Sequence, residues 1–139
     1  VYVERVESRW PLRLHLEVGS RVPMHCTASG KLFLAFMDAE RRKRMLESLT
    51  LTRMTEHTLT TREKLEQEIA AVASRGYGTD DEEFIQGLVA VAVPVTDPKG
   101  RVVGAVACHA AKPRLDLAQA LEHLPRLREA AAEIGETLH

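Results

Sequence analysis

The sequence predicts an α+β domain whose mostly antiparallel sheet is flanked by helices, and three observations lead there. Two dense apolar runs, 88–96 (LVAVAVPVT) and 102–110 (VVGAVACHA), are separated by Asp97-Pro98-Lys99-Gly100, a turn pattern, and read as a central hairpin. Leu65, Ile69 and Val72 recur at helical spacing and stop at Arg75-Gly76. Leu117, Leu121, Leu124, Leu127, Ala131, Ile134 and Leu138 do so again near the carboxyl end, where Pro125 predicts a kink or break. Strands grouped apart from helices in this way define the α+β class.

Taken in order, residues 1–9 (VYVERVESR) alternate apolar and polar as a half-buried strand does. Residues 12–18 (LRLHLEV) alternate again, with Leu12, Leu14, Leu16 and Val18 on one face, and Trp10-Pro11 predicts a hairpin between the two. Gly19-Ser20 marks a turn. Thr27 or Ser29 is placed to cap a helix through Lys31 to Met37, and Asp38 to cap a second over 39–48. Residues 50–58 show no clear period and read as loop or short edge strand. Thr61 opens a capping box before the third helix. Tyr77 to Thr79 reads as a short strand entering a solvated acidic turn, Asp80 to Glu83.

At 139 residues, 45% hydrophobic and 28% charged, the chain fits one compact globular domain, 1–139. No apolar run approaches the roughly 20 residues that span a bilayer, so no membrane partner is expected. A net charge of −1 and a pI near 6.7 argue against a nucleic-acid surface on these residues, because phosphate binding needs uncompensated Lys and Arg. Two cysteines, Cys26 and Cys108, are too few for a secreted disulfide framework, and a reduced, cytoplasmic setting is expected. The opening residue is Val1, directly in strand-like alternation, which reads as a piece of a longer protein.

Imidazole and thiolate are zinc ligands, so His25-Cys26 and Cys108-His109 invite a metal reading. Strand alternation opposes it: Val103, Ala105, Ala107 and His109 share one face, Gly104, Val106 and Cys108 the other. Buried, inert cysteines and no metal or other cofactor are the expectation. His109 ends an apolar strand on its small-residue side, which leaves room for a ligand carboxylate; a histidine bonded to a backbone carbonyl is the plainer alternative. Thr27, Ala28 and Ser29 precede or open a helix whose free N–H groups suit an anion, although ordinary capping explains them equally. Ser29 lacks a Gly-x-Ser-x-Gly elbow, and Asp80-Asp81-Glu82-Glu83 lacks an EF-hand pattern. The basic run Arg41 to Arg44 reads as surface charge.

Four stretches together resemble the IclR family: Val22-Pro23-Met24-His25 followed by Thr27 to Lys31; Thr58 to Thr60; Arg75-Gly76-Tyr77-Gly78 with Asp80 to Glu83 and Gly87; and Val91 to Val95 with Asp97 and Gly100. The resemblance implies a GAF-like effector-binding domain, not an enzyme. It also implies a winged helix-turn-helix, outside this chain, that contacts promoter DNA, and assembly as a homodimer or tetramer. The implied effector is a small carboxylic acid. Carried over by position, Ala28 and Ser29 resemble backbone anion contacts, Asp80 the acidic pocket residue, and Leu14, Val22 and Leu88 the apolar wall. Ala90, Ala107 and His109 fall at pocket positions on the last two strands. Sensors of very small keto acids in the family carry cysteine or serine at those three positions, so a larger effector is expected here. Cys108-His109-Ala110-Ala111 with Arg114, followed by Leu124-Pro125-x-Leu127, is similar to the branch controlling aromatic catabolism through the β-ketoadipate pathway. Two rival readings are a small enzyme using His109 and Asp80 as acid and base, and a ligand-free oligomerisation module.

Overall fold

The computed structural model describes residues 1–7 and 17–138, and places five helices and three strands among them. Helix α1 (Ala28–Phe36) begins where Thr27 holds an extended backbone and its Oγ accepts from the Gly30 N–H, 3.1 Å away. Asp38 caps α2 (Ala39–Ser48) in the same manner. The Arg42 side chain folds back to donate to the Ala35 and Met37 carbonyls, satisfying the end of α1. Helix α3 (Arg62–Arg75) runs from Thr61 to Gly76, whose φ of 81° is the left-handed stop that glycine adopts without a side-chain clash. Thr61 makes a single cap bond, to Lys64 N–H, and not the expected box: the third helical residue is a lysine, which has no acceptor to return. The reciprocal box is instead formed by Asp116 and Gln119 at the start of α4 (Leu117–Leu121).

Strands β1 (Gly78–Asp81), β2 (Leu88–Thr96) and β3 (Val102–Ala111) form one antiparallel sheet in the order β1-β2-β3. On one face Ala90 and Ala92 pack with Ala28 and Leu32 of α1 and with Leu65, Ile69 and Val72 of α3. On the other, Val89, Val91, Val93 and Val95 meet Ala120 of α4 and Ala131 of α5 (Leu124–Glu136), with Leu124 and Leu127 alongside. Alternation along β2 thus serves two cores, which is why its sequence is apolar throughout. The result is the GAF-like sandwich of helices about a central sheet.

Two glycines allow the layers to approach. A Cβ at Gly78 would fall into the Ala28 carbonyl, and one at Gly135 would sit 2.7 Å from the Thr96 oxygen. Helix α1 therefore rests on β1 backbone to backbone.

Several expectations change. Residues 1–7 carry no strand, although Tyr2 exchanges backbone hydrogen bonds with the Gly19–Ser20 turn (Tyr2 N–H to Ser20 O, 3.1 Å; Gly19 N–H to Tyr2 O, 2.7 Å). The other arm of the expected hairpin falls mainly on 8–16, outside the described residues. The carboxyl-terminal stripe is two helices, broken at Glu122–His123, with Pro125 in the first turn of α5 where its missing N–H costs nothing. The acidic run is not a solvated turn. Asp80 and Asp81 extend β1, and Asp80 and Glu83 are buried, because each finds a polar partner inside.

Candidate functional site

Sheet register places Asp80 opposite Ala90 and Ala90 opposite His109, so the three side chains form one row across the sheet. Gly78, Ala92 and Ala107 form the next row on the same face. Small residues floor both rows, and helix α1 lies over this face with Ala28 packed on Ala90 and Ala92. The amino end of α1 thereby lies over a sheet face bearing a carboxyl and an imidazole at its two sides.

The α1 terminus divides its duties. The Thr27 hydroxyl donates to Pro23 O (2.6 Å) while accepting from Gly30, so it is fully used in capping. The Ala28 and Ser29 N–H groups, which have no intrahelical acceptor, have no hydrogen-bond partner among the described residues. They are the anion-ready amides of this end.

Asp80 is almost fully buried, and burial pushes its carboxyl up to about 7 even though its Oδ1 accepts from the Glu83 N–H at 2.8 Å. Lys31, whose charge opposes that rise, is 1% exposed and sits 2.9 Å from both Glu83 oxygens and 3.6 Å from Glu68. Arg75 completes that chain, 2.8 Å from Glu68, while its guanidinium carbon lies 5.0 Å from the Tyr77 ring centre. Lys31 thus bonds directly to Glu83 and acts on Asp80 only through its charge.

His109 is driven the other way. Burial and the Arg5 charge depress its imidazole to about 4, so it is neutral at pH 7. Its Nε2 lies 3.2 Å from the Tyr2 hydroxyl, and the two rings meet edge to face with centres 6.0 Å apart. Burial and the nearby Asp80 raise the Tyr2 phenol. Cys26, fully buried just before α1, is pushed up to about 12 by burial and the carboxylates of Asp80 and Glu83. Cys108 pairs with Val91 on the opposite face, turned from His109 as alternation requires.

The sequence-predicted residues therefore fall as follows. Thr27 and Ala28 lie at the α1 terminus and Asp80, Ala90, Ala107 and His109 on the sheet face beneath it. Leu88 shares that face and is buried opposite Ala111, at the strand end. Ser29 and Val22 are half-buried, and Val22 is not in the apolar cluster that joins α1 to the sheet. Leu14 lies outside the described residues. Tyr2 and Arg5 come to the same site unannounced, since their segment reads as a plain alternating strand. Lys31 was likewise hidden: its partners are 37 and 52 positions away. Two surface clefts, of about 360 Å³ beside Leu59 and Lys64 and about 380 Å³ between α2 and α3, lie away from this row.

Comparison with known proteins gives the geometry a family. The family described as "Bacterial transcriptional regulator IclR C-terminal" matches residues 1–136. The "Probable transcriptional regulator SauR" of Cupriavidus necator is 44% identical over 137 residues, 99% of this chain and 54% of the relative. Among solved structures, a transcriptional regulator RHA06195 from Rhodococcus sp. RHA1 superposes with a TM-score of 0.93 at 32% identity, covering 98% of this chain and 56% of that one. A double mutant of the PobR transcription factor inducer binding domain from Acinetobacter, in complex with 3-hydroxybenzoic acid, gives a TM-score of 0.83 at 29% identity, with 93% and 74% covered. The chain spans about half the length of the curated relatives it matches.

Proposed function

Because this chain belongs to the IclR family of bacterial transcriptional regulators, as their C-terminal effector-binding domain, we propose that it senses a small carboxylic acid and thereby controls promoter binding. The observation that carries the reading is the row Asp80–Ala90–His109 beneath the amino end of α1. Free amides of Ala28 and Ser29 offer hydrogen bonds to an anion, the alanines present the small side chains a ring can lie against, and Asp80 and His109 provide polar edges. Thr27 holds the helix end in place, and Leu88, buried at the strand end on the same face, supplies apolar wall. An aromatic acid, or an acid of the β-ketoadipate pathway, is the effector class we favour. The likeness to an inducer-binding domain holding 3-hydroxybenzoic acid supports that choice.

A ligand of this kind regulates only by binding one arrangement of the protein better than another. DNA contact is assigned to a winged helix-turn-helix domain outside these residues, in a cytoplasmic homodimer or tetramer. Among the described residues no helix is long and apolar enough to cross a membrane.

The test is a thermal-shift screen with protocatechuate, 4-hydroxybenzoate, β-ketoadipate, muconate, pyruvate and glyoxylate. Stabilisation by an aromatic acid or β-ketoadipate, lost in His109→Ala and Asp80→Ala proteins that remain folded, is expected. Stabilisation that survives both substitutions moves the site elsewhere.

A further inference from the structure

We propose that the Tyr2 phenol is an internal occupant of a phenol-accepting subsite centred on His109, so that Tyr2 and a hydroxyaryl ligand compete for the same imidazole nitrogen. The inference rests on the reading of the Asp80–Ala90–His109 row as an effector site and names the group that one part of it recognises.

Three features of the contact resemble ligand recognition more than packing. The Tyr2 hydroxyl meets His109 Nε2 at 3.2 Å, and the rings are edge to face at 70°. The imidazole is neutral, so at Nε2 it can accept a hydrogen bond from a phenol or donate one to it, according to tautomer. Burial raises the Tyr2 phenol first, and Asp80 and Arg5 then act on it with opposite sign, so the ring is half-buried within reach of a carboxyl and a guanidinium.

The occupant is also lightly held. Residues 1–7 belong to no helix or strand, and Val1, Val3 and Val6 around Tyr2 are 69%, 84% and 94% exposed. Among the described residues, two backbone hydrogen bonds to the Gly19–Ser20 turn and the contact with His109 hold Tyr2. A ring brought to a buried imidazole by a segment with so little burial of its own can be replaced by a free ring carrying the same hydroxyl. Occupancy of the subsite by a ligand would then release the amino-terminal segment from the sheet.

The probe is p-cresol, the side chain of tyrosine without its backbone, measured by calorimetry and thermal shift on the whole chain. Tyr2→Ala is expected to bind p-cresol about tenfold or more tighter than wild type, because the competing occupant is gone. That gain is expected to vanish in Tyr2→Ala/His109→Ala. Equal p-cresol affinity in wild type and Tyr2→Ala, or a gain indifferent to His109, overturns the proposal. If Tyr2→Ala does not fold, Tyr2→Phe carries the test through the His109 Nε2 nitrogen resonance. A shift on loss of the hydroxyl is expected, and an unmoved resonance overturns the contact on which the proposal stands. The acid screen on wild type keeps the two readings apart. Acids that bind wild type while p-cresol ignores Tyr2→Ala leave the effector site standing without an internal occupant. p-Cresol binding to Tyr2→Ala, with no acid bound by wild type, leaves the subsite and removes the acid.

Discussion

Lys31 Nζ lies 2.9 Å from each carboxylate oxygen of Glu83, with the lysine side chain 1% exposed, so the first helix and the β1–β2 connection are joined by a buried ion pair. The pair does more than close a charge balance. Glu83 also gives its backbone N–H to Asp80, so the lysine indirectly fixes the residue that edges the candidate site.

Lys31→Met removes one member and leaves Glu83 buried and uncompensated. A loss of about 3–5 kcal/mol in urea unfolding is expected, as for other buried pairs broken from one side. Lys31→Met/Glu83→Gln should recover much of it. A loss below about 1 kcal/mol in the single variant would mean that water reaches the pair.

Gly78→Ala is expected to destabilise by about 2 kcal/mol or more, because the new Cβ meets the Ala28 carbonyl and neither backbone can move without opening the helix–sheet contact. Gly19→Ala is the control. Its φ of 89° makes a side chain strained, but nothing stands within 4 Å, so about 1 kcal/mol is expected. Equal losses in the two would show that the added Cβ is accommodated at position 78 and that α1 does not rest on β1 backbone to backbone.

The elements that could be read from the sequence are those whose information is local. Thr27, Asp38 and Gly76 announce helix ends by their own chemistry, and β2 and β3 announce themselves by composition. Asp80, Ala90 and His109 were found one by one, whereas their alignment in a row is a property of strand register that no single segment contains. The acidic run misled for a related reason. Four consecutive carboxylates look solvated until Lys31, 52 positions from Glu83, is known to be inside with them. Tyr2 is the extreme case: its partner is 107 positions away.

The two thiols should differ in reactivity. Cys26 is fully buried and pushed up to about 12, so at pH 7.5 only about one molecule in 10⁴ to 10⁵ carries the thiolate that attacks iodoacetamide. Cys108 is half-buried. Mass spectrometry after brief alkylation of the folded protein should find Cys108 modified first and Cys26 only after urea is added. Prompt labelling of Cys26 would contradict the packing in front of α1.

Asp80 and His109 make opposite demands on pH, and their opposition is itself testable. Asp80 is raised from 3.8 to about 7, so between those values the folded state holds a proton that the unfolded chain releases. Its contribution to stability is therefore fully present below 3.8 and is lost as pH rises through 7. His109 is lowered from 6.5 to about 4, so between those values the unfolded chain holds the extra proton, and stability grows as pH rises. Over the shared window, about pH 4 to 6.5, the two slopes approach about 1.4 kcal/mol per pH unit each with opposite sign, and they cancel. Removing one should expose the other. Asp80→Asn is expected to become more stable with rising pH across the window, relative to wild type, and His109→Gln less stable. Glu82 and Asp97, each held down by hydrogen bonds, titrate in all of these proteins, so differences between unfolding curves isolate the pair. Asp80→Asn/His109→Gln should parallel wild type. If the two single variants instead tilt in the same direction, the opposed titrations assigned to the two sides of the row are wrong.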